Sequence, residues 1–163
     1  MYKNTFTHYL AKILVDIMFY LGIPCVATAF WWTKLFRPFF YIRGQLDEWY
    51  FTLFIAAVIS SGLCALYIVW QLKKMFATIA LGNPFVVANI TCLRKCAVAS
   101  FLLSIIFLAF FLAIIFFTSE TLLVIITVGL LVIIFGILGL FCLTLKDLFK
   151  QAVSYKQEND WTV

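Results

Sequence analysis

His8, Lys12 and Asp16 follow one another at four-residue intervals, so a helix through them carries an imidazole, an ammonium and a carboxylate on one stripe. Such a stripe can hold an ion pair, relay a proton or pin one helix to another. Asp16 is the only acid inside a predicted membrane span. At mid-membrane a carboxylate costs on the order of 2.5–3.5 kcal/mol on insertion scales, but Asp16 lies about one turn from the edge of its span, within reach of water and Lys12. An interfacial ion pair with Lys12 is therefore the expected state. A contact that pins the first helix to another, or a proton or substrate site, stays open. Cys92 and Cys96 also share a helical face, yet with one His in the chain they lack partners for a tetrahedral metal site. The five cysteines show no paired spacing, so no disulfide framework is implied. No phosphate loop, nucleophile elbow, zinc-protease pair or acid–base dyad occurs, and neither an enzyme nor a cofactor is expected.

The elements that must position these residues are set by composition. Of 163 residues 66% are hydrophobic, against roughly 45–50% in an ordinary soluble domain, and only 12% are charged. A water-soluble globule could not hide that much apolar surface. The expected fold class is all-α, an integral membrane four-helix bundle forming a single domain over 1–163. The net charge of +5 reports orientation and contact with anionic lipid in a membrane protein, and direct nucleic-acid binding is not expected.

Apolar stretches of about 20 residues, the length that crosses roughly 30 Å of hydrocarbon, fall at 13–32, 51–70, 96–117 and 122–145. The last two are joined by Thr118-Ser119-Glu120-Thr121, which predicts a tight antiparallel hairpin with a hydroxyl cap and Glu120 near the positive end of the fourth helix. With cytoplasmic continuations the helices are placed at 13–32, 51–70, 84–117 and 120–150, followed by a tail at 151–163. Nine Lys and Arg (Lys3, Lys12, Lys73, Lys74, Arg94, Lys95, Lys146, Lys150, Lys156) flank one side, and three (Lys34, Arg37, Arg43) flank the other. The positive-inside rule puts both termini in the cytoplasm.

Lys3 and Lys12 ahead of an apolar run ending in Ala27-Thr28-Ala29 resemble a signal peptide, but the run is long for one and Asp16 interrupts it, so an uncleaved helix is expected. The outer segment 31–50 is rich in Trp, Phe and Tyr among Lys34, Arg37 and Arg43, with Pro38 expected to prevent an unbroken helix. It reads as a headgroup-layer segment, or as a lid over a pocket between helices. Gly62, Gly129, Gly136 and Gly139 are read as close-packing positions, and Asn89-Ile90-Thr91 as an accidental glycosylation match.

Helix three is expected to start before the membrane, with Asn83 as cap and Pro84 at the first helical position. A helix over 84–117 would be about 51 Å long, projecting a cytoplasmic extension that bears Phe85, Asn89, Leu93 and Cys96 on one stripe able to dock another element. The run from Gly82-Asn83-Pro84-Phe85 through Asn89 to Leu93-Arg94 resembles the bacterial domain-of-unknown-function 2975 family of membrane proteins, which shows Gly-x-x-Phe, Asn and Leu-Arg just ahead of its third transmembrane helix. The end of the chain, Glu158-Asn159-Asp160-Trp161-Thr162-Val163, is similar to the same family's acidic terminus, with Trp161 where a smaller aliphatic residue is commoner. The resemblance spans essentially the whole chain. It implies a four-helix protein of the bacterial inner membrane, often encoded beside a small helix-turn-helix DNA-binding protein of the Cro type, without established enzymatic activity.

Both motifs fall on the predicted cytoplasmic side, so Arg94 or Lys95 is expected to pair with Glu158 or Asp160 while Trp161 packs on Phe85. The functional expectation is a non-enzymatic regulatory or sensory partner of a small cytoplasmic DNA-binding regulator. Its interaction motif would be Asn83, Pro84, Phe85, Asn89, Leu93, Arg94, Glu158, Asn159, Asp160 and Trp161. The alternative is a subunit of a transport complex, or an immunity protein against a membrane-active peptide, built on the polar site at Lys12 and Asp16. The many Phe and Ile residues pack equally well against lipid or protein, which leaves a homo-oligomer open.

Overall fold

The computed structural model describes residues 5–41, 48–81, 84–117 and 122–160. They form four helices, α1 (Thr5–Tyr41), α2 (Glu48–Ala80), α3 (Val87–Phe117) and α4 (Leu122–Asp160), with no strand among the described residues. Each holds a stretch long and apolar enough to cross a bilayer: Tyr9–Ala29, Phe51–Ala80, Val87–Phe116 and Leu122–Glu158. The all-α class follows from those runs, because a backbone without water must close its hydrogen bonds within the segment.

Successive helices are antiparallel, and their packing is sequential. α1 lies on α2, α2 on α3 and α3 on α4; among the described residues no other two helices come together. The four are therefore laid out as a row with α2 and α3 inside it. Most of the fully enclosed side chains belong to α3, among them Leu93, Cys96, Ala97, Ser100, Leu103 and Ile114. Aliphatic side chains such as Ile17, Leu21, Ile133 and Ile137 on the two end helices are exposed and suited to hydrocarbon.

Small residues set the helix spacing. A Cβ on Gly62 would stand 2.9 Å from Cγ2 of Val26, and one on Gly139 would stand 3.0 Å from the Phe101 ring. Gly129 lies beneath Phe111 in the same way. Between these two sites the Ser104 hydroxyl donates to the Val132 carbonyl at 2.9 Å, and the Phe107 and Phe135 rings stack at 5.5 Å. The close-packing role expected of these glycines is what the α3–α4 and α1–α2 contacts display.

Several element boundaries differ from the sequence expectation. α1 runs through Pro38 to Tyr41 and α2 begins at Glu48, so most of the supposed outer segment is helix. Pro38 lies in the last turn of α1, where it removes one N–H from the helical ladder without ending the helix. α3 begins at Val87, because Pro84 to Val86 form a tight turn instead, with Val86 N–H donating to the Pro84 carbonyl at 3.2 Å. The proposed cap Asn83 lies outside the described residues, as does the 118–121 connection with Glu120. α4 continues to Asp160, so residues 151–160 are helix where a tail was expected.

Candidate functional site

Antiparallel packing gathers the start of α1, the end of α2, the start of α3 and the end of α4 at one end of the row. Lys12, Lys73, Lys74, Arg94, Lys95, Lys146, Lys150 and Lys156 all belong to it. The candidate site is this basic end.

The turn ahead of α3 is organised by Asn89, which is 0% exposed. Its Nδ2 donates to the Pro84 carbonyl at 2.7 Å, and its backbone N–H donates to the Val86 carbonyl at 3.0 Å. Its Oδ1 accepts from the Thr78 hydroxyl of α2 at 2.8 Å. That hydroxyl has one proton, shared with the Met75 carbonyl at 2.7 Å. An asparagine in the first turn of a helix thus holds together the loop before it and the helix beside it. Leu93 and Cys96, on the same stripe, are buried as well, and the Cys96 thiol points to the Ile68 carbonyl at 3.9 Å. The Asn89–Leu93–Cys96 stripe does dock an element, and that element is α2 of the same chain.

Phe85 stays 43% exposed and meets Phe149 of α4 at 5.6 Å between ring centroids. Pro84 is half-buried and Arg94 is exposed. Neither Arg94 nor Lys95 forms an ion pair among the described residues, so the expected contact with Glu158 is not made. The reason is that α4 stays helical. The α3–α4 register set by Ser104 and Gly136 places Arg94 near the level of Lys146, and the helical rise carries Glu158 about 18 Å further along. Glu158 is exposed; Asn159 and Asp160 belong to the last turn of α4, and Trp161 lies outside the described residues.

Asp16 meets Lys73 of α2, Nζ to Oδ1, at 2.9 Å. The expected partner, Lys12, is half-buried on α1. The cross-helix pairing wins because Lys73 stands opposite Asp16 and its stem lies among aromatic rings: the ammonium is 4.6 Å from the Tyr20 ring centroid and 5.3 Å from that of Phe19. Lys73 Nζ also donates to the Tyr20 hydroxyl at 3.4 Å. The carboxylate that could have served a proton or substrate pathway is thus engaged in joining two helices. Lys73, Tyr20 and Thr78 were not singled out from sequence for this site. The available signal was Tyr20 four residues after Asp16, on the same stripe.

Gln71 is 1% exposed and its Nε2 has no acceptor within hydrogen-bond reach. Among the described residues no three His, Cys, Asp or Glu side chains converge on one point.

Four antiparallel spanning helices with most of their cations collected at one end define a multi-pass helical membrane protein. The chain belongs to the family described as Protein of unknown function (DUF2975), whose family model matches residues 4–163. No curated protein and no solved structure matches it.

Proposed function

We propose that the protein is a non-catalytic component of the bacterial inner membrane, with both termini and the first turns of α3 in the cytoplasm, that acts as the membrane partner of a small DNA-binding regulator. The observation that carries this reading is the far end of α4. Past Lys146 it stays helical for fourteen more residues, with Lys150, Tyr155, Lys156 and Glu158 exposed. A preformed helix of mixed charge with Tyr155 67% exposed on it is a surface that a soluble protein can receive in a groove. Phe85, open beside Phe149, extends that surface toward α3. Asn89 and Leu93 support it from inside and do not touch a partner. The excess of cations at this end favours the cytoplasmic side, and the family resemblance implies a neighbouring helix-turn-helix protein.

The test is co-purification from the native membrane in mild detergent, comparing the intact chain with one truncated after Tyr155. A small DNA-binding protein recovered with the intact chain and lost on truncation is the expected result. Recovery of a transporter subunit, or of the chain alone, overturns the reading. A fluorescent protein fused after Val163 should fold and fluoresce, as it does only in the cytoplasm; a dark fusion overturns the orientation.

A further inference from the structure

Between α2 and α3 the row leaves a groove of about 540 Å³. Leu63 and Tyr67 of α2 form one wall, Val98 and Leu102 of α3 the other, and the buried Ala99 lies between them. Arg94 and Lys95 line one end of it. The antiparallel register, fixed by Thr78 against Asn89 and by Ile68 against Cys96, brings Leu63 near the level of Leu102, Tyr67 near Val98 and Trp70 near Lys95. The groove is therefore graded along its length. It is aliphatic at the inner end, then phenolic, then cationic.

Its length suits a headgroup together with the first part of an acyl chain. Thr91 and Leu102 both line it, and a helix rises about 17 Å between them, against roughly half of a 30 Å hydrocarbon core. The cationic end has the composition of the headgroup layer: Trp70 packs 6.0 Å from Tyr67 and holds the Lys74 ammonium 3.5 Å above its ring. Arg94 and Lys95 are exposed there, and no carboxylate among the described residues answers them.

We propose that this groove is a binding site for one anionic phospholipid, with an acyl chain along Val98, Ala99 and Leu102 and the headgroup phosphate between Arg94 and Lys95. The occupant must be apolar along Val98–Leu102, for about 10 Å inward of Lys95, and negative at the cationic end. A guanidinium fork takes two phosphate oxygens while the neighbouring ammonium acts as a point charge. A zwitterionic lipid would bring its own cation to a mouth that already carries two and offers no acid, so charge selects the anionic headgroup. The site lies on α2 and α3 and is independent of the partner surface proposed for the far end of α4.

The experiment is native mass spectrometry of the full chain released from nanodiscs of equal phosphatidylglycerol and phosphatidylcholine content. The wild type should retain one phosphatidylglycerol in preference to phosphatidylcholine. Each cation is worth about fivefold, so Arg94→Gln with Lys95→Gln should lower that preference roughly 30-fold, and Lys95→Gln alone about fivefold. The single exposed change keeps the test valid if the double variant fails to fold. Ala99→Phe, which fills the groove and leaves both charges, should lose the bound lipid, whereas Lys150→Gln with Lys156→Gln should keep it. Retention at the bulk lipid ratio by the wild type, or an unchanged preference in Lys95→Gln, overturns the proposal. Retention by Ala99→Phe overturns the acyl-chain placement.

Discussion

Lys73 of α2 closes on Asp16 of α1 at 2.9 Å, and this pair is the charged link between a helix at the edge of the row and the rest of the protein. Because α1 packs on α2 alone among the described residues, whatever holds that one interface holds the first span in place. Asp16 Oδ1 is sealed from solvent and meets no donor at good hydrogen-bond geometry, so its compensation is the ammonium charge.

Removing one member of the pair should therefore cost more than removing both. Lys73→Met leaves the Asp16 carboxylate without its counter-charge and should lower the melting temperature. Asp16→Asn with Lys73→Met should recover most of that loss. Thermal unfolding in mild detergent, followed by helical circular dichroism, measures the cycle. Additive losses from the two single changes would show that the charges do not couple.

Two enclosed amides should respond to mutation with opposite sign. Asn89 has both ends of its side chain bonded, to Pro84 and Thr78, and Asn89→Ala takes the donor from the Pro84 carbonyl and unties the turn from α2, at a cost of about 1–3 kcal/mol, although the Thr78 hydroxyl keeps its bond to Met75. Gln71 is as deeply buried but its Nε2 has no acceptor, so Gln71→Leu, of similar size and without the unmet donor, should leave the melting temperature unchanged or raise it. A large drop for Gln71→Leu would mean that its amide is bonded in the membrane.

The spans and their order were legible in the sequence because a bilayer demands about 20 apolar residues in a row, and that demand is local. Gly62, Gly129 and Gly139 were legible for a similar reason, since few residues let backbones approach so closely, whereas Gly22, whose Cβ would stand 2.7 Å from Leu66 Cδ2, was not. Asp16's partner was not. Periodicity along one helix exposes Lys12, whereas Lys73 becomes a neighbour only when α2 folds back against α1 in a particular register. Asn89 was visible as a motif residue, but its task of tying Pro84 to Thr78 depends on α2 ending beside the turn. The far end of α4 was misjudged because its polar composition reads as tail; helical continuity from an apolar segment supplied the order that composition concealed.

Glycine positions offer the sharpest test of the row, since one substitution should have three different outcomes. At Gly62 a new Cβ falls 2.9 Å from Cγ2 of Val26, a β-branched side chain that is stiff in a helix and has no free rotamer into which to retreat. Gly62→Ala should push α1 away from α2 and cost about 1–3 kcal/mol. At Gly139 the obstacle is the edge of the Phe101 ring at 3.0 Å, and a ring can slide by a few tenths of an ångström, so Gly139→Ala should cost less. At Gly136 the nearest atom is Ser104 Oγ at 3.7 Å, an ordinary contact, and the alanine gains up to about 1 kcal/mol of helix propensity. Gly136→Ala should thus melt at or above the wild-type temperature while the Ser104 bond to Val132 survives. Melting temperatures that rank Gly136→Ala above Gly139→Ala, and Gly139→Ala above Gly62→Ala, are the expected result. Equal values for all three would mean that the helices are not held at the spacing described.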